Sequence, residues 1–215
     1  MYVPEHFKVV DEHEIEAFVR KHDFATIVTP SQTGMMLTHL PVLVRREASG
    51  LVIAGHVSRA NTHWTIMDGR TDSIVIFQGP HHYVSPSWYV DSPAVPTWNY
   101  GVVHAHGKPL ATQDRTFTEK VLAELIERYE SGRAAPWSLE KVPPDYYNQL
   151  LAGIVGFQME VVKVEAKFKL GQNRRPADQA GTIAGLEREG SPEAARMAEF
   201  MRDFIERNDS GTKTT

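Results

Sequence analysis

Residues 24–56 read FATIVTPSQTGMMLTHLPVLVRREASGLVIAGH, and the order of strand and turn signals within them decides the fold. Phe24 to Thr29 is rich in β-branched and aromatic side chains and ends at Pro30 with Gly34 just beyond, so it reads as a strand entering a turn. Met35 to Arg45 is the answering strand. Thr38-His39-Leu40-Pro41 lies in its middle, where Pro41 must sit at an edge or a bulge because it has no N–H for the ladder. A turn near Ser49-Gly50 leads into a third strand, Leu51 to His56. Two tight connections in succession make an antiparallel meander, since parallel strands need a long crossover.

Upstream, Asp11 with Glu14 forms a capping-box-like start for a helix reaching about His22, with Ile15, Phe18 and Val19 at helical spacing. Downstream, Val57 to Trp64 changes from strand to polar turn and then to a short helical pattern through Met67, for which Ser58 is a natural cap. Ser73–Gln78 and His81–Tyr89 read as two strands separated by Gly79-Pro80. Asn99 to Leu110 is another, with Tyr100, Val102 and His104 on one alternating face. Thr116 with Glu119 opens an amphipathic helix to Ser131, whose Phe117, Val121, Leu125 and Tyr129 recur every four residues. A shorter helix spans Tyr146 to Leu151 and ends at Gly153. Ile154 to Leu170 alternates over a length that suits one bent strand or a hairpin, and the last clear element is a helix opened by Ser191 and Pro192. This pattern predicts a mainly β fold with peripheral helices, a small closed or partly closed antiparallel barrel. The organisation expected is a barrel over 1–175, a helical extension over 176–208 and a polar, disordered tail over 209–215.

Composition narrows the function. A chain of 215 residues, 41% hydrophobic, can bury one full core with a helical appendage. A net charge of −4 speaks against a whole surface shaped for nucleic acid but leaves room for a local basic patch. Cysteine is absent, so thiolate metal sites and thiol nucleophiles are excluded. His104 and His106 share a strand face, yet no carboxylate stands in register nearby in the sequence, so no metal site is expected. Neither a Gly-x-Ser-x-Gly elbow nor a phosphate-cradling glycine loop occurs. The N-terminal residues lack a signal-peptide layout and no apolar run reaches membrane-span length, so a cytoplasmic protein without membrane contact is expected.

Three stretches carry candidate chemistry. SPSWYVDSPAVPTWNYGVVHAHG, residues 85–107, is the densest run of aromatics and prolines, and it reads either as a plug at one end of the sheet or as the wall of a ligand pocket. His56 to Asn61 is a strand running into a helix N-terminus, where Ser58, Arg59 and Asn61 add a hydroxyl, a guanidinium and an amide suited to an anion. Lys167 to Arg175 gathers four cations and two amides, which suits either a solvated turn or a basic mouth for phosphate.

These features occur within a longer series of motifs. Met1-Tyr2-Val3-Pro4 with Phe7, Thr38-His39-Leu40-Pro41, Gly55-His56 through Arg59-Ala60-Asn61 and Trp64, Ser85-Pro86-Ser87-Trp88-Tyr89, Val95 to Tyr100, Gly153 to Phe157, and Phe168-Lys169-Leu170 with Gln172-Asn173-Arg174 occur in that order. Together they resemble the PaiB-like FMN-binding negative transcriptional regulators across nearly the whole chain. Gly171 departs from the pattern, which usually carries serine there. The resemblance implies an antiparallel split β-barrel of the pyridoxamine-phosphate-oxidase type, a homodimer with FMN at each interface. It makes Ser58, Arg59 and Asn61 candidates for the FMN phosphate, with His56 beside them, and lets Thr38 and His39 reach the ribityl chain or ring. Trp98, Asn99 and Tyr100 become a cover for the isoalloxazine, and Gln172, Asn173 and Arg174 face the cofactor from the other subunit. Transcriptional regulation is expected to be indirect, because no recognition helix is legible and no short turn joins two helices. Two alternatives stay open at this point: a flavin-dependent oxidoreductase acting on a small molecule, and a cofactor-free barrel that binds DNA or a partner.

Overall fold

The computed structural model describes residues 1–211, with side chains as far as Asn208. The expected tail therefore lies outside the described residues, apart from helical backbone through Gly211. The meander is present, with one change of course. Strand β2 (Phe24–Ser31) pairs antiparallel with β3 (Gly34–Pro41) from Phe24↔Pro41 to Ser31↔Gly34, and β4 (Leu43–Glu47) pairs with β5 (Gly50–Ser58) from Leu43↔Ala54 to Glu47↔Gly50. The single strand expected from Met35 to Arg45 is thus broken after Pro41. Proline cannot continue the ladder, Val42 gives its N–H to the Asp23 carbonyl at 2.9 Å, and the chain leaves β2 to join β5.

Four further strands complete the sheet: β1 (Lys8–Val9), β6 (Ser73–Val84), β7 (Thr97–Gly107) and β9 (Ile154–Lys169), with short β8 (Leu110–Thr112) beside β9. The order is β3-β2-β6-β7-β9-β5-β4, with β1 and β8 also on β9. Registers on β2, β4, β5 and β9 are all antiparallel. This is a mainly β, antiparallel split barrel with helices at its periphery. Residues 154–169 form one strand rather than a hairpin. Gly79-Pro80 does not divide β6, contrary to expectation, because the residue before a proline favours extended backbone and the β2 register ends at Ile76, short of Pro80.

Packing divides the chain into two compact units. One comprises Glu12–Phe77 and His104–Val164; the other comprises Met1–Asp11, Gln78–Val103 and Glu165 onward. In the first, helix α1 (Glu12–Lys21) buries Ile15, Phe18 and Val19. Helix α2 (Arg115–Glu130) lays Val121 and Leu125 on Leu43 and Ala54, with Phe117 packed alongside. Asp114, not Thr116, caps α2 by accepting the Thr116 N–H at 2.9 Å. Helix α3 (Pro144–Ala152) ends at Gly153 as expected.

The second unit holds a helix that periodicity did not reveal, α4 (Pro176–Glu189), followed after two residues by α5 (Pro192–Gly211). Gly190 between them adopts φ +74°, a conformation glycine takes freely. The apolar stripe of α5 is covered within its own unit: Ala194, Met197, Ala198 and Met201 are buried, and the Phe200 and Phe204 rings lie 5.1 and 6.0 Å from that of Phe168. Helix α4 receives Trp88. A Cβ added at Gly185 would lie 2.3 Å from the Trp88 ring, and one at Gly181 2.2 Å from the Trp88 carbonyl oxygen. Asp178 accepts the Val90 and Asp91 N–H groups at 2.8 and 3.1 Å. The front of the aromatic stretch is therefore a structural plug. Gly185→Val should lower stability by about 1–3 kcal/mol through overpacking, and adding Trp88→Ala should recover part of that loss, as read from urea midpoints.

Candidate functional site

The candidate residues fall into two groups, one in each unit. In the unit of residues 12–77 and 104–164, Thr38 sits on β3 with its hydroxyl 2.8 Å from His63 Nδ1, and it accepts from Asn61 Nδ2 at 3.0 Å. Asn61 Oδ1 in turn accepts the His63 N–H at 3.1 Å. Asn61, rather than Ser58, is the cap, and the helix it starts is a single five-residue 3₁₀ turn, Thr62–Ile66. Ser58 Oγ instead accepts the Ala60 N–H. So short a turn sums few peptide dipoles, which weakens the helix-dipole case for an anion here.

Arg59 is more committed than the sequence suggested. Its Nε and Nη2 donate to the carbonyls of Ala152 and Ile154 at 2.8 and 3.2 Å, and its own N–H reaches Gly153 at 2.7 Å. The guanidinium thus ties the start of β9 to the end of β5, and it borders a cavity of about 150 Å³ that Arg115, Thr112 and Asn148 also line. Thr38 and His39 are adjacent strand residues and point to opposite faces. His39 is exposed, with Nδ1 2.8 Å from Thr26 Oγ1.

His63 is the residue of this group that sequence reasoning passed over. It is fully buried, its Nε2 has no hydrogen-bond partner among the described residues, and burial holds its pKa below the ordinary value of 6.5. His56, on β5, likewise has an unpartnered Nδ1 and a pKa lowered by burial. The Thr38–Asn61–His63 network was hidden because its members are 23 and 25 residues apart in sequence.

In the other unit, the 97–100 segment splits by strand alternation. Trp98 and Tyr100 share one face. Trp98 is 53% exposed, with its ring 6.4 Å from His81 and 6.2 Å from Tyr83, and Tyr100 lies 5.3 Å from the Lys167 ammonium. Asn99 faces the other way, buried, with Nδ2 3.4 Å from Met201 Sδ. On that side a cavity of about 110 Å³ is lined by Asn99, Thr97, Tyr89, Lys169, Asn173 and Arg174. Gln172 does not join it: its amide accepts from Leu170 N–H at 2.8 Å and donates to the Phe168 carbonyl at 2.6 Å, closing the turn after β9. Lys169 was legible only as part of a basic run. Its ammonium donates to Thr97 Oγ1 and, at 2.9 Å, to the Trp98 carbonyl. Burial, then the nearby Lys167 and Arg174 charges, lower its pKa below the usual lysine range.

These residues fit a flavin nucleotide. In the unit of Trp98, cations and amides without ion-pair partners suit a phosphate and an exposed tryptophan face suits a flat ring; in the other unit, taken by itself, buried His63 leaves a ring nitrogen to be satisfied. Each cavity is well below the several hundred cubic ångströms that usually enclose a cofactor, so neither would bury FMN by itself.

Two measurements bear on this geometry. Gly171 adopts φ +84°, and a Cβ there would make only an ordinary contact, 3.9 Å from Gln179 Cγ, so serine meets no clash but incurs the cost of left-handed backbone; Gly171→Ser should cost about 1 kcal/mol of stability. His63 binds a proton more weakly folded than unfolded, so its contribution is fully present above about pH 6.5 and is lost as pH falls below that value. The urea midpoint should therefore decline from pH 7.5 toward pH 5, by less in His63→Gln than in the parent.

Comparison with known proteins adds the family. The family model described as "Putative FMN-binding domain" matches residues 1–163. The protease synthase and sporulation protein PAI 2 of Bacillus subtilis (strain 168) is 38% identical over 207 residues, covering 96% of this chain and 99% of that one. Among solved structures, the flavocytochrome Anf3 from Azotobacter vinelandii superposes with a TM-score of 0.59 at 14% identity, over 83% of this chain and 78% of the other. The FAD and heme binding protein from Mycobacterium smegmatis gives 0.53 at 12% identity, over 76% and 74%. Those two likenesses speak to the fold. With most of its length inside the family model and a full-length relative at this identity, the chain belongs to the PaiB-like FMN-binding family, whose cofactor is FMN.

Proposed function

We propose that the chain acts as a cytoplasmic homodimer holding FMN at each subunit interface, and that its influence on transcription is indirect. The half-exposed Trp98, flanked by His81 and Tyr83, carries this reading: a large aromatic held in a rigid strand but left uncovered is a surface waiting for a flat partner. Trp98 and Tyr100 would cover the isoalloxazine, and Asn173 and Arg174 would approach from the neighbouring subunit. Thr38, His39 and His56 would border the ribityl chain or ring, with Ser58 and Asn61 near the phosphate. Arg59 would act there through the backbone it already holds, and Gln172 by keeping the 171–174 turn closed. Bound FMN supplies hydride or single-electron chemistry; the chain binds it, orients it and excludes water.

Indirect regulation is supported by the helices themselves. A two-residue connection does join α4 and α5, against the expectation that no such pair exists, yet α5 offers no basic face. Two of its three arginines, Arg196 and Arg202, are paired with Glu193 and Glu187, which leaves little to meet DNA phosphates. A flavin-dependent oxidoreductase is the second reading, favoured by the buried, unpartnered His63 Nε2, a group able to position a substrate once reached. Reduction of bound FMN by NADH or NADPH no faster than free FMN would remove its support.

Titration of flavin-free protein with FMN, followed by flavin fluorescence, should saturate at micromolar concentration. Absence of saturable binding would refute the proposal. Trp98→Ala should weaken FMN by about tenfold or more, given ~1–3 kcal/mol for stacking on an aromatic side chain. Trp137→Ala, on an exposed loop, should leave it unchanged, and equal effects would return Trp98 to a purely structural role.

A further inference from the structure

The cavity beside the 171–174 turn has a charge balance that a plain turn does not need. Lys167, Lys169, Arg174 and Arg175 lie within nine residues, but they are not treated alike. Arg175 is ion-paired with Asp91, and Lys167 rests between the Tyr2 and Tyr100 rings at 5.5 and 5.3 Å with its ammonium on the Tyr2 carbonyl. Lys169 and Arg174, the two that line the cavity, make no ion pair among the described residues. Asp178, a buried carboxylate of the same unit, has Oδ1 taken by the Val90 and Asp91 N–H groups, while its Oδ2 has no hydrogen-bond partner among the described residues.

Geometry points the same way. Arg174 stacks its guanidinium on the Tyr89 ring at 4.6 Å, which fixes the plane of its donors, and Lys169 is anchored by Thr97 and the Trp98 carbonyl. Asn173 and Asn99 add amides to the same cavity. The turn is built before any ligand arrives. Arg174 N–H donates to Gly171 O at 2.8 Å, and Gln179 Nε2, from α4, donates to the Gly171 and Arg174 carbonyls at 3.0 and 3.1 Å. A preformed set of two cations and two amides around about 110 Å³ matches a small tetrahedral oxyanion in both charge and size.

We propose that the cavity formed by Lys169, Arg174, Asn173 and Asn99 is a binding site for a phosphate-sized oxyanion. It goes beyond the proposed function, which puts the FMN phosphate near Ser58 and Asn61, and it does not require flavin to be bound. Burial first, and then the nearby Lys167 and Arg174 charges, disfavour the Lys169 ammonium, and an anion in the cavity would offset both. The oxyanion has two sources: the phosphate of FMN itself, which would replace its proposed placement near Ser58 and Asn61, or a phosphate-bearing second ligand.

Inorganic phosphate is the probe, titrated by calorimetry into FMN-loaded and flavin-free protein at ionic strength held constant with chloride. Saturable binding is expected, weakened roughly tenfold or more in both Arg174→Gln and Lys169→Met, as for loss of a charge-assisted hydrogen bond. Arg175→Gln should bind phosphate as the parent does, because that cation is already neutralised by Asp91. Circular dichroism confirms that each variant is folded, and if Lys169→Met is not, Arg174→Gln carries the comparison. Phosphate that competes with FMN, together with a Lys169→Met loss for FMN but not for riboflavin, identifies the cofactor's own phosphate as occupant. Phosphate that binds the FMN-loaded protein without displacing flavin identifies a second ligand. Either result supports the site, as does variant-sensitive phosphate binding in a protein that takes no flavin. No saturable phosphate binding in either form, or binding left intact by both Arg174→Gln and Lys169→Met, overturns it.

Discussion

The backbone ladder of β9 is the constraint on which the rest depends. Over residues 156–158 it is paired with both β5 and β8, and at Ala166 and Lys167 it is paired with β1. With so many of its residues tied to neighbours, the register of its far end is set. Phe168 then points to the buried face under Phe200 and Phe204, while Lys169 emerges beside Thr97. A slip of one residue would drive the ammonium into the α5 core and turn the phenyl ring toward the cavity. The cationic cavity therefore exists because the strand cannot slide.

The same ladder depends on close packing elsewhere along it. Gly55 on β5 stands opposite Phe157 on β9, and a Cβ there would lie 2.9 Å from the phenyl ring, so the pair packs only because one member has no side chain. This gives a packing reason for two of the motifs that carried the family resemblance, Gly55-His56 and Gly153 to Phe157. Arg59, a candidate phosphate ligand in the sequence, also clamps the carbonyls of Ala152 and Ile154 at the start of β9.

Much of the fold was legible because alternation and turn chemistry are local. The meander, the amphipathic α2 and the extended character of residues 154–170, though not the choice between one strand and a hairpin, followed from periodicity, while the errors came where tertiary context overrode it. Pro41 reads the same in one strand or two until Val42 is seen bonding Asp23. Helix α4 was not legible as a separate element within the expected 176–208 extension because its buried residues are Asp178, Thr182, Gly185 and a single large apolar one, Leu186, although Pro176 at its start and Gly190 after its end marked it. The site was legible in parts. Asn173 and Arg174 do meet in a cavity with Asn99, but strand alternation sends Trp98 and Tyr100 to the other face, which a contiguous motif disguises. Lys169, Tyr89 and His63 needed long-range geometry, since the residues they touch lie far away in sequence.

A homodimer holding FMN at its subunit interfaces is the central claim, and sedimentation velocity followed at the flavin absorbance tests it most directly. Flavin sedimenting with the mass of two chains, at one FMN per chain, is the result predicted. Flavin that sediments with a single chain, bound as tightly at concentrations where only monomer exists, would contradict it.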